Sequence, residues 1–370
     1  MTDKETKRGR GRWIAASAAT LLAAGALAGW SVLAHARRDG PPPDRDTQMD
    51  AAARHAVIAA IDDNMARHYV FPDQAARLAV ELEAREAHGE FDRVTSAEAF
   101  ADTMTRTLQA LLKDKHLEVR YFDKPVPADE GGDQRTSAEV QAERVEHARF
   151  NHGVAGFRRL QGNIGYIDLH AFGRPGDTAP RYAALMALAR DTGGLLIDLR
   201  HCEGGDPDSV MLLASYLFDQ RTHLNDIWMR EGNVTEARWT DPNVVGPHYG
   251  QARPVVVLVG PDTFSAGEDF AYALKNAGRA TLVGETTGGG AHPGQPRRLT
   301  DHFMMNVPAG RSISPVTHTD WEGTGVTPDV PVPVAKAQER GELILVRRLV
   351  AAEKDPDWKR RVQERLDELE

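Results

Sequence analysis

A single cysteine, Cys202, is all that this chain of 370 residues contains. Its isolation excludes an internal disulfide and a cysteine-rich metal site, and leaves the redox compartment open. Basic clusters are scarce as well. The net charge is −9, and beyond the first dozen residues no long Lys/Arg block occurs, so nucleic-acid binding is disfavoured. Neither the G-x-G-x-x-G nor the G-x-x-x-x-G-K-[ST] spacing is present, which removes the common phosphate-cradling loops. No internal repeat is evident. What remains is 41% hydrophobic and 27% charged, the composition of a globular chain with material for one large or two medium domains.

Residues 1–40 stand apart. Lys4, Lys7, Arg8, Arg10 and Arg12 precede an uncharged Ala/Leu-rich stretch from Trp13 to Ala36. About twenty apolar residues can span a bilayer, and a basic flank stays in the cytoplasm. The expectation is an inner-membrane anchor, with the rest of the chain facing the periplasm or another extracytoplasmic space. Ala34-His35-Ala36 keeps open a cleaved signal peptide and secretion. Pro41-Pro42-Pro43 opens a stiff linker over 41–48.

Residues 49–122 read as a small helical bundle. Val57, Ala60, Ile61 and Met65 form one apolar stripe, Ala75, Leu78 and Leu82 a second, and Phe100, Met104, Leu108 and Leu111 a third. Asp73 and the region of Ser96 are candidate caps. Asp114-Lys115-His116 then leads into Leu117, Val119 and Tyr121, which alternate like a strand. His116 is either an ordinary surface or capping histidine or a base. Residues 123–150 show no apolar period and read as a linker or loop.

The remainder alternates strands and helices, the mark of an α/β layer structure. Strands are expected at 164–169, 194–199 and 254–259. A Gly204-Gly205 pair between a strand and a helix allows tight turning with exposed N–H groups. Thr263-Phe264-Ser265-Ala266-Gly267-Glu268 joins the apolar run 254–259 to a helix that Gly278 can end. Ser265 therefore meets free N–H groups and the positive end of a helix dipole, which suits a developing oxyanion. Ser265-x-x-Glu268 is equally a capping box, and both readings stay open on local grounds. A glycine-rich loop over 284–293, strands near 303–308 and 311–314, and an amphipathic helical tail over 336–370 follow.

Six pieces occur in a telling order: Tyr69-Val70-Phe71-Pro72, Asp114-Lys115-His116, Asp198-Leu199-Arg200 with Gly204-Gly205, Thr263 to Glu268, Gly284 to Gly290, and Gly325-Val326-Thr327-Pro328-Asp329. Together they resemble the tail-specific (C-terminal processing) serine peptidase family, in the branch of interphotoreceptor retinoid-binding protein and tricorn-type catalytic domains. The resemblance covers about residues 50–335. It implies a crotonase-like ββα spiral catalytic domain over 151–335, preceded by the helical domain. Two departures stand out. The family's serine–lysine dyad places its lysine in the glycine-rich loop, where this chain has Gly290, and no lysine occurs between Lys275 and Lys336. The linker is also too short for a PDZ domain.

The tricorn-type arrangement implies Ser265 as nucleophile, His116 as base and Glu322 as the carboxylate that orients it. Ala266 N–H, with Gly204 or Gly205, would form the oxyanion hole. His292 is the alternative base. A serine hydroxyl needs such a base, and the base needs a carboxylate. No cofactor or metal is called for. The implied function is hydrolysis of polypeptide in the cell envelope; the alternative is a silent family member that binds an apolar ligand or a protein partner. Oligomeric state is left open.

Overall fold

Val255–Val259, five consecutive apolar residues, forms β7, and none is more than 1% exposed. A run apolar on both faces suits the centre of a parallel sheet covered on both sides. In the computed structural model, which describes residues 46–126 and 137–370, β7 lies between β4 (Gly194–Asp198) and β8 (Thr281–Gly284), parallel to both. β3 (Ile164–Leu169) and β2 (Val154–Leu160) extend the sheet on one side and β12 (Val330–Pro331) on the other, with β2 alone antiparallel. The strands expected from the three apolar runs thus share one sheet.

Alternate residues of these strands feed two separate cores. Leu195, Ile197, Val255, Val257 and Val259 pack with α5 (Pro175–Ala189), α6 (Pro207–Ser215) and α7 (Ala266–Asn276). Leu196, Val256 and Leu258 pack with α8 (Val334–Ala352) and α9 (Pro356–Leu369), the expected helical tail. Gly341 lies inside α8 because a Cβ there would stand 2.8 Å from Leu196 Cδ1. A glycine in a helix interior costs about 1 kcal/mol relative to alanine, and here it admits the sheet.

Three helices come first: α1 (Ala51–His68), α2 (Pro72–Ala87) and α3 (Ala97–Leu112). Ser96 caps α3 as expected, accepting from Ala99 N–H, whereas Pro72 opens α2 and Asp73 sits in its first turn. Ile61, Met65, Leu82, Phe100, Met104 and Leu108 are fully buried between them. Their core is closed by strands from far along the chain. β1 (Glu118–Tyr121) pairs with β10 (Phe303–Pro308), which pairs with β9 (Gly294–Thr300), and Phe303, Met305 and Val307 join the helical cluster. A linear division at residue 122 is therefore not a spatial one.

Two regions differ from expectation. Ser137–Arg149 forms a helix, α4, inside the stretch read as a loop. It is held by charge rather than an apolar stripe: Arg144 pairs with Asp177 at 2.6 Å and Glu143 with Arg174 at 2.8 Å, which is why periodicity misses it. A hairpin of β5 (His223–Met229) and β6 (Val234–Trp239), in a stretch where no strand was expected, joins β11 (Gly310–Ile313) in a third sheet. Among the described residues no helix is long and apolar enough to cross a membrane. The apolar stretch Trp13–Ala36 lies outside the described residues.

Candidate active site

Ser265 is the residue before α7, at the end of the turn that leaves β7. Four other helices show an ordinary cap in this molecule. Asp50, Ser96, Asp206 and Asp355 precede α1, α3, α6 and α9 at φ between −88° and −73°, and each accepts a helix N–H with its side chain. Ser265 sits instead at φ 51°, ψ −118°. For a residue with a side chain such a conformation costs on the order of 1–3 kcal/mol. Within the capping-box pair, Ser265 N–H donates to Glu268 Oε2 at 3.0 Å.

The turn is tied to the one that follows β4. Phe264 N–H donates to Cys202 O at 2.9 Å, and Thr263 Oγ1 donates to Leu199 O at 2.7 Å. Gly204, at φ 112°, lets the two turns close: a Cβ on it would stand 2.8 Å from Ser265 Cβ and 3.2 Å from Ala266 N. Ala266 N–H, at the first position of α7, has no acceptor within the helix. It lines a cavity of about 90 Å³ together with Ser265, Gly205 and His116. The Gly204 N–H is drawn to the Cys202 sulfur, while burial pushes that thiol up to about 12. Gly205, which lines the cavity, is the candidate second donor to it.

Glu268 fastens the glycine-rich loop to the same turn. Wholly buried, it accepts from Thr287 Oγ1, Gly289 N–H and Gly290 N–H as well as from Ser265. Burial raises its pKa to about 7, and these four donors work against the rise. A capping glutamate in the sequence is thus the clasp between the Ser265 turn and the loop.

His116 enters from the end of the helical region. Its N–H donates to Asp114 Oδ1 at 3.0 Å, and its carbonyl accepts from Asn306 Nδ2 at 2.8 Å. Its ring packs on Phe264, the neighbour of Ser265, with centroids 4.6 Å apart. Both ring nitrogens are buried without a hydrogen-bond partner, and Nδ1 is 4.0 Å from Asp114 Oδ1. Burial, opposed by the Asp114 charge, lowers the pKa of His116 to about 4. The imidazole is therefore neutral at pH 7, the form that accepts a proton. A Cβ at Gly290 would stand 2.7 Å from His116 Cε1 and 2.3 Å from Phe264 Cζ. Histidine at 116 and a side chain at 290 exclude each other.

Glu322 does not go where the resemblance put it. Its Oε2 lies 3.4 Å from Nδ1 of His292, not against His116, and accepts the N–H groups of Ala291 and His292. The carboxylate beside His116 is Asp114, a residue the sequence reading carried only as part of a motif; its position two before the histidine was the available signal. Asp114 Oδ2 also meets His292 Nδ1 at 3.0 Å and Tyr69 OH at 3.3 Å. Burial and the neighbouring Asp114 charge lift Glu322 to about 8, against the pull of His292. For His292 burial acts downward, but the hydrogen bond to Asp114 and the charges of Glu322 and Asp114 outweigh it, so its pKa rises. Asp114, His292 and Glu322 each offer a ligand atom, all within 4.8 Å of one another.

Ser265, Ala266, Gly205 and His116 thus surround one cavity, with Gly204 packed behind them, while His292 and Glu322 form a second cluster joined to it through Asp114. Against this geometry, the model for the N-terminal domain of peptidase S41 in eukaryotic IRBP matches residues 51–152, and the peptidase family S41 model matches residues 163–332. The chloroplastic carboxyl-terminal-processing peptidase 2 of Arabidopsis thaliana is 31% identical over 179 residues, 46% of this chain and 32% of that protein. A carboxyl-terminal-processing protease of Picosynechococcus is 32% identical over 170 residues, 46% of this chain and 39% of that protein. The chain therefore spans well under half the length of these relatives. Among solved structures, a lipoprotein from Streptococcus agalactiae superposes with TM-score 0.52 at 13% identity, covering 84% of this chain and 98% of that one. A Parabacteroides merdae chain reaches 0.51 at 19% identity, with 76% and 90% covered. These two likenesses concern the fold alone. The two sequence models, met in order along the helical region and the sheet that holds Ser265, give the family: the chain belongs to peptidase family S41.

Proposed function

We propose that this chain is a serine peptidase that hydrolyses polypeptide through an acyl-enzyme formed on Ser265. The observation that carries the reading is the backbone of Ser265, held at φ 51° where every ordinary cap named above stays extended. That conformation turns the residue at the strand–helix junction into a cavity it shares with a neutral, buried histidine. In the first step Ser265 Oγ attacks the substrate carbonyl carbon while His116 takes the hydroxyl proton. Asp114, 4.0 Å from Nδ1, stabilises the imidazolium. The N–H groups of Ala266 and Gly205 receive the oxyanion, with Gly204 securing the close approach of the two turns. His116 then returns the proton to the leaving amine, and water, activated by the same histidine, releases the acyl group. Glu322 acts at one remove, through His292 and the loop amides. No step calls on a cofactor.

The finer architectural reading is a crotonase-like spiral, supported by successive strand–helix units β2-β3-α5, β4-α6 and β7-α7 stacked along one sheet. The proposed setting is the cell envelope, with the basic and apolar segments 1–12 and 13–36 as anchor or signal and the chain outside the cytoplasm. A fluorophosphonate probe on native full-length protein tests the chemistry. Labelling of the native chain and none of Ser265→Ala is expected. Equal labelling of both, or cleavage of an unfolded polypeptide by Ser265→Ala at the native rate, would sink it.

A further inference from the structure

Asp114, His292 and Glu322 sit together in a way that hydrogen bonding alone explains poorly. Asp114 Oδ2 and Glu322 Oε2 stand 3.0 and 3.4 Å from the same atom, His292 Nδ1, which carries at most one proton. Two carboxyl groups at one nitrogen in a shielded place resist being ionised together. The other oxygen of Glu322, Oε1, is buried with no hydrogen-bond partner. A divalent cation would resolve these misfits together, taking the nitrogen lone pair and neutralising both carboxylates.

The spacing suits such an ion. Zinc lies about 2.0–2.2 Å from nitrogen and oxygen ligands, so atoms sharing one tetrahedral ion stand roughly 3–3.5 Å apart. Both measured separations fall in that range. The surroundings already orient the ligands, as partners of metal-binding side chains do. Tyr69 OH donates to Asp114 Oδ2, His116 N–H to Asp114 Oδ1, and the Ala291 and His292 N–H groups to Glu322 Oε2. The His292 ring is braced edge-on against Phe71, with centroids 5.4 Å apart. The three ligands come from three separate segments, each fixed by its own part of the fold.

We propose that Asp114, His292 and Glu322 form a binding site for one divalent transition-metal ion of the zinc class, with water completing the coordination. The ion takes no part in the peptidase chemistry, but it shares Asp114 with His116. Its occupation draws the charge of Asp114 away from His116, so the bound ion acts as a brake. The brake rests on the serine-peptidase reading; metal binding does not.

The test uses full-length protein stripped by a chelator and titrated with Co²⁺, whose visible absorption reports low-coordinate nitrogen and oxygen ligation, followed by Zn²⁺ as competitor. One ion per chain is expected, displaced by Zn²⁺. Affinity should be about 100-fold weaker or worse in His292→Ala and Glu322→Gln, about 10-fold weaker in Tyr69→Phe, and unchanged in Ser265→Ala. Failure of the native chain to bind Co²⁺ at millimolar concentration overturns the site, as does native-like affinity in both ligand variants. Should His292→Ala not fold, the near-isosteric Glu322→Gln decides alone. Zn²⁺-loaded protein that still reacts fully with fluorophosphonate overturns the brake and leaves the site standing. Labelling of Ser265→Ala would instead strike the peptidase reading, with the metal titration untouched.

Discussion

Two turns leave adjacent parallel strands of the same sheet and start helices, yet they distribute strain in opposite ways. After β4 the awkward backbone falls on Gly204 and Gly205, at φ 112° and 131°, and the helix then begins at Asp206 with a relaxed cap at φ −81°. After β7 there is no glycine between Pro261 and Ser265, and the awkward conformation falls on the serine itself. Glycine adopts positive φ at little steric cost, so the first turn is built for economy of conformation. The second keeps a side chain where one is unfavourable, which stability alone gives no reason to do. Strain of this kind persists where surroundings over-determine it, and here the first turn, Glu268 and the glycine-rich loop supply the constraint.

Substitutions sharpen the contrast. Ser265→Ala should lower kcat/KM by roughly 10⁴–10⁶-fold while the melting temperature stays within a few degrees; a variant that keeps activity and loses stability would make Ser265 a mere cap. Gly290→Ala should cost about 10²-fold, by pushing aside the His116 ring that its Cβ would meet, and fluorophosphonate labelling rates would read the loss. The pH profile comes next. With the folded pKa of His116 lowered to about 4 against an ordinary 6.5, kcat/KM should stay level from pH 7 down past 6.5 and fall only as pH drops through about 4. A fall centred near 6.5 would contradict the shielding described here. The same shift has a stability counterpart: between pH 6.5 and 4 the unfolded chain binds the proton first, so this group's contribution is present above 6.5 and lost as pH falls through that window. The smallest effect belongs to the other turn. Asp206→Ala should remove about 1 kcal/mol of stability, seen as a melting point a few degrees lower, with kcat/KM within a factor of two.

How far the sequence reaches also differs between the regions. β7, the Ser265 turn and α7 were legible because they are contiguous: an apolar run, a turn and a helical stripe within about twenty residues. His116 was legible as a motif, but its relation to Ser265 was supplied by family resemblance and not by any local pattern. The environment of Glu322 was misjudged because its partner His292 lies 30 positions away across a loop whose path depends on Glu268. Asp114 escaped notice as a carboxylate in its own right because its contacts to Tyr69 and His292 are 45 and 178 positions distant. The helix α4 and the β5–β6 hairpin were missed for a simpler reason. One is fastened by ion pairs, and the other exposes most of β6 to solvent, so neither writes a clean apolar period.

The closing of the helical core by β10 sets an order in time. His116 is anchored by Asn306, 190 positions further along, and β1 has no sheet to join until β10 exists. A chain being synthesised therefore displays Ser265 before Asn306 can hold His116 beside it. Contacts at such separation are among the slowest to form, so during refolding hydrolysis should return after helical signal has recovered. Until those last strands are in place, the proposed site stays unassembled.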